Sequence, residues 1–575
     1  MSQTDFINAY KNGNMEVVKF LLELDGDRQI DVHAKDEEAF RKACRYGHLE
    51  VVKFLLELDG DRRIDVHAKD EQAFRKACKY GHLDVVKLLL ELDGDRRIDI
   101  QIKYQDAFCM ACQNGHMEIV KLLLKLDGDR RITYLIGEGF SNACWNGHLE
   151  LAKLLLNLTG DQRINVHSAG GFTGACWNGH TEIVKLLIEL DGDRRIDVHS
   201  DEEIVFCITC KNGHVEVVKL LLELDGDRQI DVHAYHEHAF RLACTYGHIK
   251  IVKLLLELEG DRRIDVHAYF NDAFRKACQY GHLEVVKLLL NLDGDRRINV
   301  HTQDEDAFCM ACQNGHMEIV KLLLNLDGDR KINVHAQDEY AFCMACRNGH
   351  MEIVKLLLKL NGDRKINVHA DNGYAFRMAC RDGRLDIVKL LLDLNDDRRI
   401  NVHVDDGYAF ILACKYGHLE VVQLLLELEG DRRIDVHAKN EDAFRWACGN
   451  RHLEVVKFLL ELDGDRKIEV HAEDDDAFKT ACFHDYTEFI KLFLELDGDR
   501  KIPKSIIPKK YVPPDSKQTR FRCIVTYEPI EKNEKYVECL KNEEHVVKYS
   551  VNIKTTYNNR CMICKTNEIK TYINK

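Results

Sequence analysis

Proline is almost missing from this chain. There are five in 575 residues, Pro503, Pro508, Pro513, Pro514 and Pro529, and all lie beyond residue 502. Because proline breaks helices, the long stretch before it is free to be helical throughout. Tryptophan is also scarce, with only Trp145, Trp177 and Trp446. No uninterrupted apolar stretch approaches the roughly 18 residues that a membrane span needs. The opening MSQTDFINAYKNGN has no apolar core of the signal-peptide kind. The chain is therefore expected to stay inside the cell, in the cytoplasm and off the membrane.

Cysteine, by contrast, is plentiful at 22. Fourteen of the 22 recur at one position of an internal repeat, from Cys44, Cys78 and Cys112 to Cys482. Cysteine packs as a small buried hydrophobe, so this column reads as reduced core thiols and not as a disulfide framework.

At this length the chain is either several domains or a repeat array. Self-comparison decides for the array. The segment AFRKACRYGHLEVVKFLLELDGDRRIDVHAKDE, from Ala39, returns along most of the sequence. Anchored on the glycine before the second helix, the units follow Gly13, Gly47, Gly81, Gly115, Gly147, Gly179, Gly213 and on to Gly417. Arg451 and Asp485 take that slot in the last two of fifteen units. Twelve gaps are 34 residues and two are 32. Within a unit, Ala39, Phe40, Ala43 and Cys44 mark one side of a short helix over Glu37 to Tyr46. A second helix, His48 to about Asp59, is apolar on two sides, so it must be sandwiched between neighbours. DGDRR then reads as a polar loop, and Ile64 and Val66 alternate with Asp65 and His67 in an extended run. No unit buries its faces alone, so the units must stack.

Charge divides the chain where proline does. Residues 503–575 carry 15 basic and 8 acidic groups, leaving 67 basic and 89 acidic groups, net −22, on the array. An acidic array makes nucleic acid an unfavourable partner for its main surface. The expected organisation is an array over 1–502, a proline-containing linker over 503–520 and a small module over 521–575.

These repeats resemble ankyrin repeats: a helix, a glycine with histidine, HLEVVKxLLEL, then a loop ending in DV or NV. The usual TPLH start is replaced by xAFxxAC, a variant similar to the large ankyrin families of giant DNA viruses of amoebae. The resemblance implies an all-α helix-turn-helix solenoid, noncatalytic and monomeric, that binds a protein through its concave face. Its fingers are shortened, which shifts recognition to the first helices.

Two kinds of position are candidates for recognition. The outer positions of the first helix vary, Arg41, Lys42, Arg45 and Tyr46 becoming Cys109, Met110, Gln113 and Asn114. The two 32-residue units place Trp145 and Trp177 at equivalent positions, with Gly139, Gly170 and Gly171 expected to loosen the preceding loops. Two indoles on a groove would anchor a partner; equally, they would fill space left by the short loops. The two histidine columns, headed by His48 and His33, are expected to be structural, since packed helices 8–10 Å apart cannot share one zinc across rungs.

The tail contains Cys523, Cys539, His545, Cys561 and Cys564, the last two in CxxC spacing, a pattern that suits structural zinc. It resembles a degenerate RING finger. Thr526 stands at the second ligand and the fifth and sixth are missing, whereas Cys539, His545, Cys561 and Cys564 match one complete zinc site. The resemblance implies a small α+β module that recruits a ubiquitin-conjugating enzyme. Ile524 would lie on that contact and Lys565 at the basic position that steadies bound ubiquitin. A structural zinc knob or a metal-free remnant are the alternatives.

Overall fold

The computed structural model describes residues 10–23, 31–100, 107–167, 170–199, 203–508, 511, 535–539, 542–548 and 569–573. Each repeat is a helical hairpin. In the unit anchored on Gly47, the first helix is Ala34–Tyr46 and the second is Leu49–Leu56. Gly47 reverses the chain between them at φ 75°, a left-handed value that favours glycine.

The apolar side of the first helix is buried as its spacing dictates, with Phe40 1% exposed and Ala43 and Cys44 sealed. All eighteen cysteines at or before Cys482 are free and buried. Burial pushes the thiol of Cys144 up to about 12, so these side chains act as hydrophobes. In the second helix Val51, Val52 and Leu55 are buried.

The structure corrects three local expectations. The second helix stops at Leu56, short of Asp59, because Asp59 is extended and Gly60–Arg62 closes as a separate 3-10 turn. The turn's arginine has a defined job. Arg62 donates to the Leu22 carbonyl at 2.9 Å, and Arg96 to the Leu56 carbonyl at 3.1 Å, each capping the preceding unit's second helix.

The first helix begins earlier than Glu37, through a single left-handed turn. Lys35, Asp36 and Glu37 have φ of 56°, 56° and 60°, and ten repeats enter their first helix in this way. Such backbone costs about 1 kcal/mol or more per non-glycine residue, so something must hold it. Arg41 binds the turn's exposed carbonyls, Nε to Asp36 and Nη2 to Lys35, both at 2.7 Å. From inside, the buried Glu37 accepts from His33 Nδ1 at 2.6 Å and from the Asp65 amide of the next repeat at 3.2 Å.

Arg41 is thus a structural residue, which is the third correction. Its equivalents Arg75, Cys109, Cys207, Cys309 and Cys343 are buried, so this position belongs to packing and not to a free face. Of the four varying positions in this unit, Arg45 and Tyr46 are exposed, whereas Arg41 and Lys42 are half-buried.

The chain divides into two compact units, residues 1–311 with 321–331, and 312–320 with 332–575. Both are built of these hairpins stacked first helix to first helix. In the second unit, Tyr511 is buried and its hydroxyl bonds Asp485 of the last repeat. Three strands follow, β1 (Lys535–Cys539), β2 (Asn542–Lys548) and β3 (Ile569–Ile573), forming an antiparallel sheet in the order β2-β1-β3. Among the described residues no helix is long and apolar enough to cross a membrane.

Candidate interaction surface

The repeats are tied to one another by side chains that the sequence reading had taken as loop polarity and generic structure. His82 Nε2 donates to the Arg45 carbonyl of the preceding first helix at 2.8 Å, and His180 does the same to the Trp145 carbonyl at 2.9 Å. His33 Nε2 donates forward to the Asp61 carbonyl at 2.8 Å. Arg63 forms a two-pronged pair with Asp95 of the next repeat at 2.7 and 2.8 Å. The Nε2 atoms of the two histidine columns are therefore spent on inter-repeat hydrogen bonds. Among the described residues, the C-terminal ends of the first helices present an edge with exposed aromatic side chains.

Several aromatic side chains on that edge are accompanied by a cation, whereas Tyr280 and Phe483, also exposed there, have none over their rings among the described residues. The Arg45 guanidinium lies 5.5 Å from the Tyr46 ring and 5.1 Å from Tyr80. Lys211 sits over Tyr246 at 5.3 Å in the first unit. In the second unit Arg381 covers Tyr416 at 5.0 Å and Lys415 covers Trp446 at 3.8 Å. These pairs satisfy the negative ring faces within the chain.

Trp145 and Trp177 differ. Their rings stack with centroids 5.8 Å apart and planes inclined by 28°. They remain 43% and 40% exposed, and among the described residues no cation lies over either ring. Around them stand Ser141, Asn142, Asn146, Thr173 and Asn178, all uncharged.

Glycines build this pair, in a manner other than the loosened loops expected. Gly139 and Gly171 lie within their helices, where a Cβ would come within 2.5 Å of the Phe108 ring and 2.6 Å of the Phe140 ring. Their absence of a side chain lets consecutive first helices seat closely. Gly174 underlies the indole itself, since a Cβ there would fall 2.8 Å from the Trp145 ring. Gly170 alone serves the loop, as a left-handed cap at φ 62°. The first short unit omits the left-handed entry turn, Ile136 following directly on Leu135 at φ −89°. The shortened loops meet the N-terminal ends of these helices, whereas both indoles stand at the C-terminal ends.

In the tail, Cys539 ends β1 and His545 lies in β2, within the irregular stretch where Glu538 pairs Val546 but Cys539 pairs Asn542. Cys561, Cys564, Ile524 and Lys565 lie outside the described residues.

No curated protein matches the sequence. The family model described as ankyrin repeats in three copies matches in overlapping segments, 6–104, 76–168, 172–269, 267–338, 308–406, 342–440, 376–474 and 410–504. Helical hairpins joined in phase, the glycine and histidine between their helices, and a match spanning nearly all of the array agree, and the chain belongs to the ankyrin-repeat family.

Proposed function

We propose that this chain is a noncatalytic scaffold that captures a target protein along the C-terminal edge of its first helices, with Trp145 and Trp177 as the anchor. The supporting observation is the exposed indole stack seated on Gly174, a paired anchor on an edge where several single aromatics carry their own cations. A target segment presenting arginine or lysine would complete this stack as Arg45 completes Tyr80, and the array's net −22 would favour its approach.

Affinity capture with the full chain tests this reading. Replacing both residues, Trp145→Ala with Trp177→Ala, is expected to weaken the captured target at least 30-fold, about 2 kcal/mol, the scale of interface hot spots. Unchanged helical circular dichroism would accompany the loss. Gly174→Val should weaken binding as well, by lifting the indole without removing it. Capture that is indifferent to all three substitutions would sink the assignment.

For the tail we propose one structural zinc held by Cys539, His545, Cys561 and Cys564, coupling the scaffold to a second protein, a ubiquitin-conjugating enzyme contacted through Ile524 and Lys565 being the candidate. The support is the Cys and His placement on adjacent strands together with the CxxC spacing. Elemental analysis of the purified chain should give about one zinc per chain, falling to none in Cys561→Ser/Cys564→Ser. A metal-free parent chain would remove the module and the ligase reading with it.

A further inference from the structure

In seven repeats, among the described residues, a buried glutamate closes the space before the next repeat. Glu339 accepts from His335 Nδ1 at 2.8 Å and from the Asn367 amide at 2.9 Å, and Glu441 accepts from His437 Nδ1 at 2.6 Å and from the Glu469 amide at 3.0 Å. Between these two repeats lie two that lack the carboxylate, with Gly373 and Gly407 in its place. The surrounding donors are retained. His369 and His403 still donate through Nε2 to the Asp397 and Asp431 carbonyls, at 2.9 and 2.8 Å, which leaves Nδ1 facing the glycine.

A cavity of about 200 Å³ lies at the first site, lined by His369, Gly373, Phe376, Arg377, Asn401 and Ala409. Its neighbour, of about 310 Å³, is lined by His403, Asp406, Gly407, Asp435 and Lys439, with the lysine 3.8 Å from the Asp406 carboxylate. Thus each cavity holds the same histidine and the same amide-bearing residue that grip a carboxylate elsewhere, and the first adds a guanidinium. At the first site the buried Nε of Arg377 has no hydrogen-bond partner. Its other nitrogens hold the Asp371 carbonyl at 2.8 Å and the Asp405 carboxylate at 3.3 Å.

We propose that these two cavities are carboxylate-binding sites, the stronger at Gly373. The entering carboxylate takes the position that Glu339 and Glu441 fill from within, accepting from histidine Nδ1, from the Asn401 or Asp435 amide and, at the first site, from Arg377 Nε. With Nε2–H committed to a carbonyl, Nδ1 is the ring nitrogen left for the entering carboxylate. The charged groups around His369 are Arg377, Asp371, Asp405 and Asp397, and the guanidinium pairs with the Asp405 carboxylate.

The glycines provide the control. A Cβ at Gly373 meets nothing within 4 Å and one at Gly407 meets only the Val402 carbonyl at 4.0 Å. Their φ of 65° and 72° is close to the 64° and 62° that Glu339 and Glu441 already adopt. Gly373→Glu with Gly407→Glu should therefore fill both sites from within.

The test is titration of the full chain with sodium acetate, against sodium chloride at matched ionic strength, reading saturation transfer to the acetate methyl by NMR. Saturable transfer is expected, at least ten-fold reduced in Gly373→Glu/Gly407→Glu. Arg377→Met, which keeps both glycines, should lose only the tighter class of site. A blocked peptide with one internal glutamate, and one of equal length with a free C-terminal carboxylate, compete with acetate to identify the source. Whichever displaces acetate at lower concentration marks a side chain or a chain end as the ligand, and failure of both marks a free small carboxylate. No transfer in the parent chain, or equal transfer in parent and filled variants, overturns the proposal.

Discussion

Raising the pH from 6 to 9 is expected to lower the denaturant midpoint of the array, and the loss should be spread over many repeats. Histidine pairs a buried acid four residues on in eight of them: His33, His67, His199, His233, His301, His335 and His437 with glutamate, and His471 with Asp475. In each, Nε2 faces a backbone carbonyl and must carry a hydrogen, so the hydrogen bond at Nδ1 needs a second proton in the pair. The hydrogen bond from Glu37 raises the affinity of His33 for that proton above the ordinary value of 6.5, helped by the Asp61 carbonyl and opposed by partial burial. At His199, His233, His301, His335 and His471 the acid is again the largest cause and raises the value, burial comes next and opposes, and the carbonyl then adds to the rise. At His67 and His437 burial is the largest influence and opposes, but the acid and carbonyl together still win.

A histidine with a raised folded value contributes its full stability below about 6.5 and loses it as pH climbs through the folded value. Each pair is worth about 0.5–1 kcal/mol, histidine being partly exposed, so eight contribute roughly 4–8 kcal/mol in all. Guanidinium unfolding followed by circular dichroism at the two pH values checks this. Replacing all eight acids by amides should flatten the difference. A midpoint that stays level from pH 6 to 9 would show that the pairs do not hold the turn.

Gly247→Ala should be among the most damaging methyl additions in the array. Gly247 has φ 75°, and a Cβ there would lie 2.3 Å from His282 Nδ1. His282 would have to move, breaking its 2.8 Å bond to the Thr245 carbonyl. Left-handed strain of about 1 kcal/mol plus the lost, buried bond predicts about 3 kcal/mol. Gly349→Ala separates the two contributions. Its φ is 86°, but its Cβ would meet only the flexible Arg384 Cδ at 3.2 Å, so about 1 kcal/mol is expected. Equal losses at the two positions would refute the clash. The same contact explains two departures from the repeat: Arg451 stands where the facing residue is Tyr486 and not histidine, and Asp485 stands in the last repeat.

The pattern of the interaction edge was only partly legible. Equivalent placement of Trp145 and Trp177 in adjacent short units is visible by counting residues from Gly147 and Gly179. Their stacking depended on Gly139, Gly171 and Gly174, whose role is to admit Phe108, Phe140 and Trp145 across repeat boundaries. Such contacts join residues about 31 positions apart and leave no local signature. Arg41 misled for a related reason. On a helical wheel it is an outer residue, but its partners are carbonyls turned outward by a left-handed segment that no propensity foretells.

By itself the sequence determined the repeat, its register, the two-helix hairpin and the buried column of cysteines, because apolar spacing and glycine placement are local physics repeated fifteen times. Tertiary structure decided what the polar motif residues do. Whether His33, Glu37, Arg41 and Arg62 are solvated or committed depends on carbonyls and amides supplied by neighbouring turns and repeats. The same donors line the two cavities that stand where glycine replaces the glutamate.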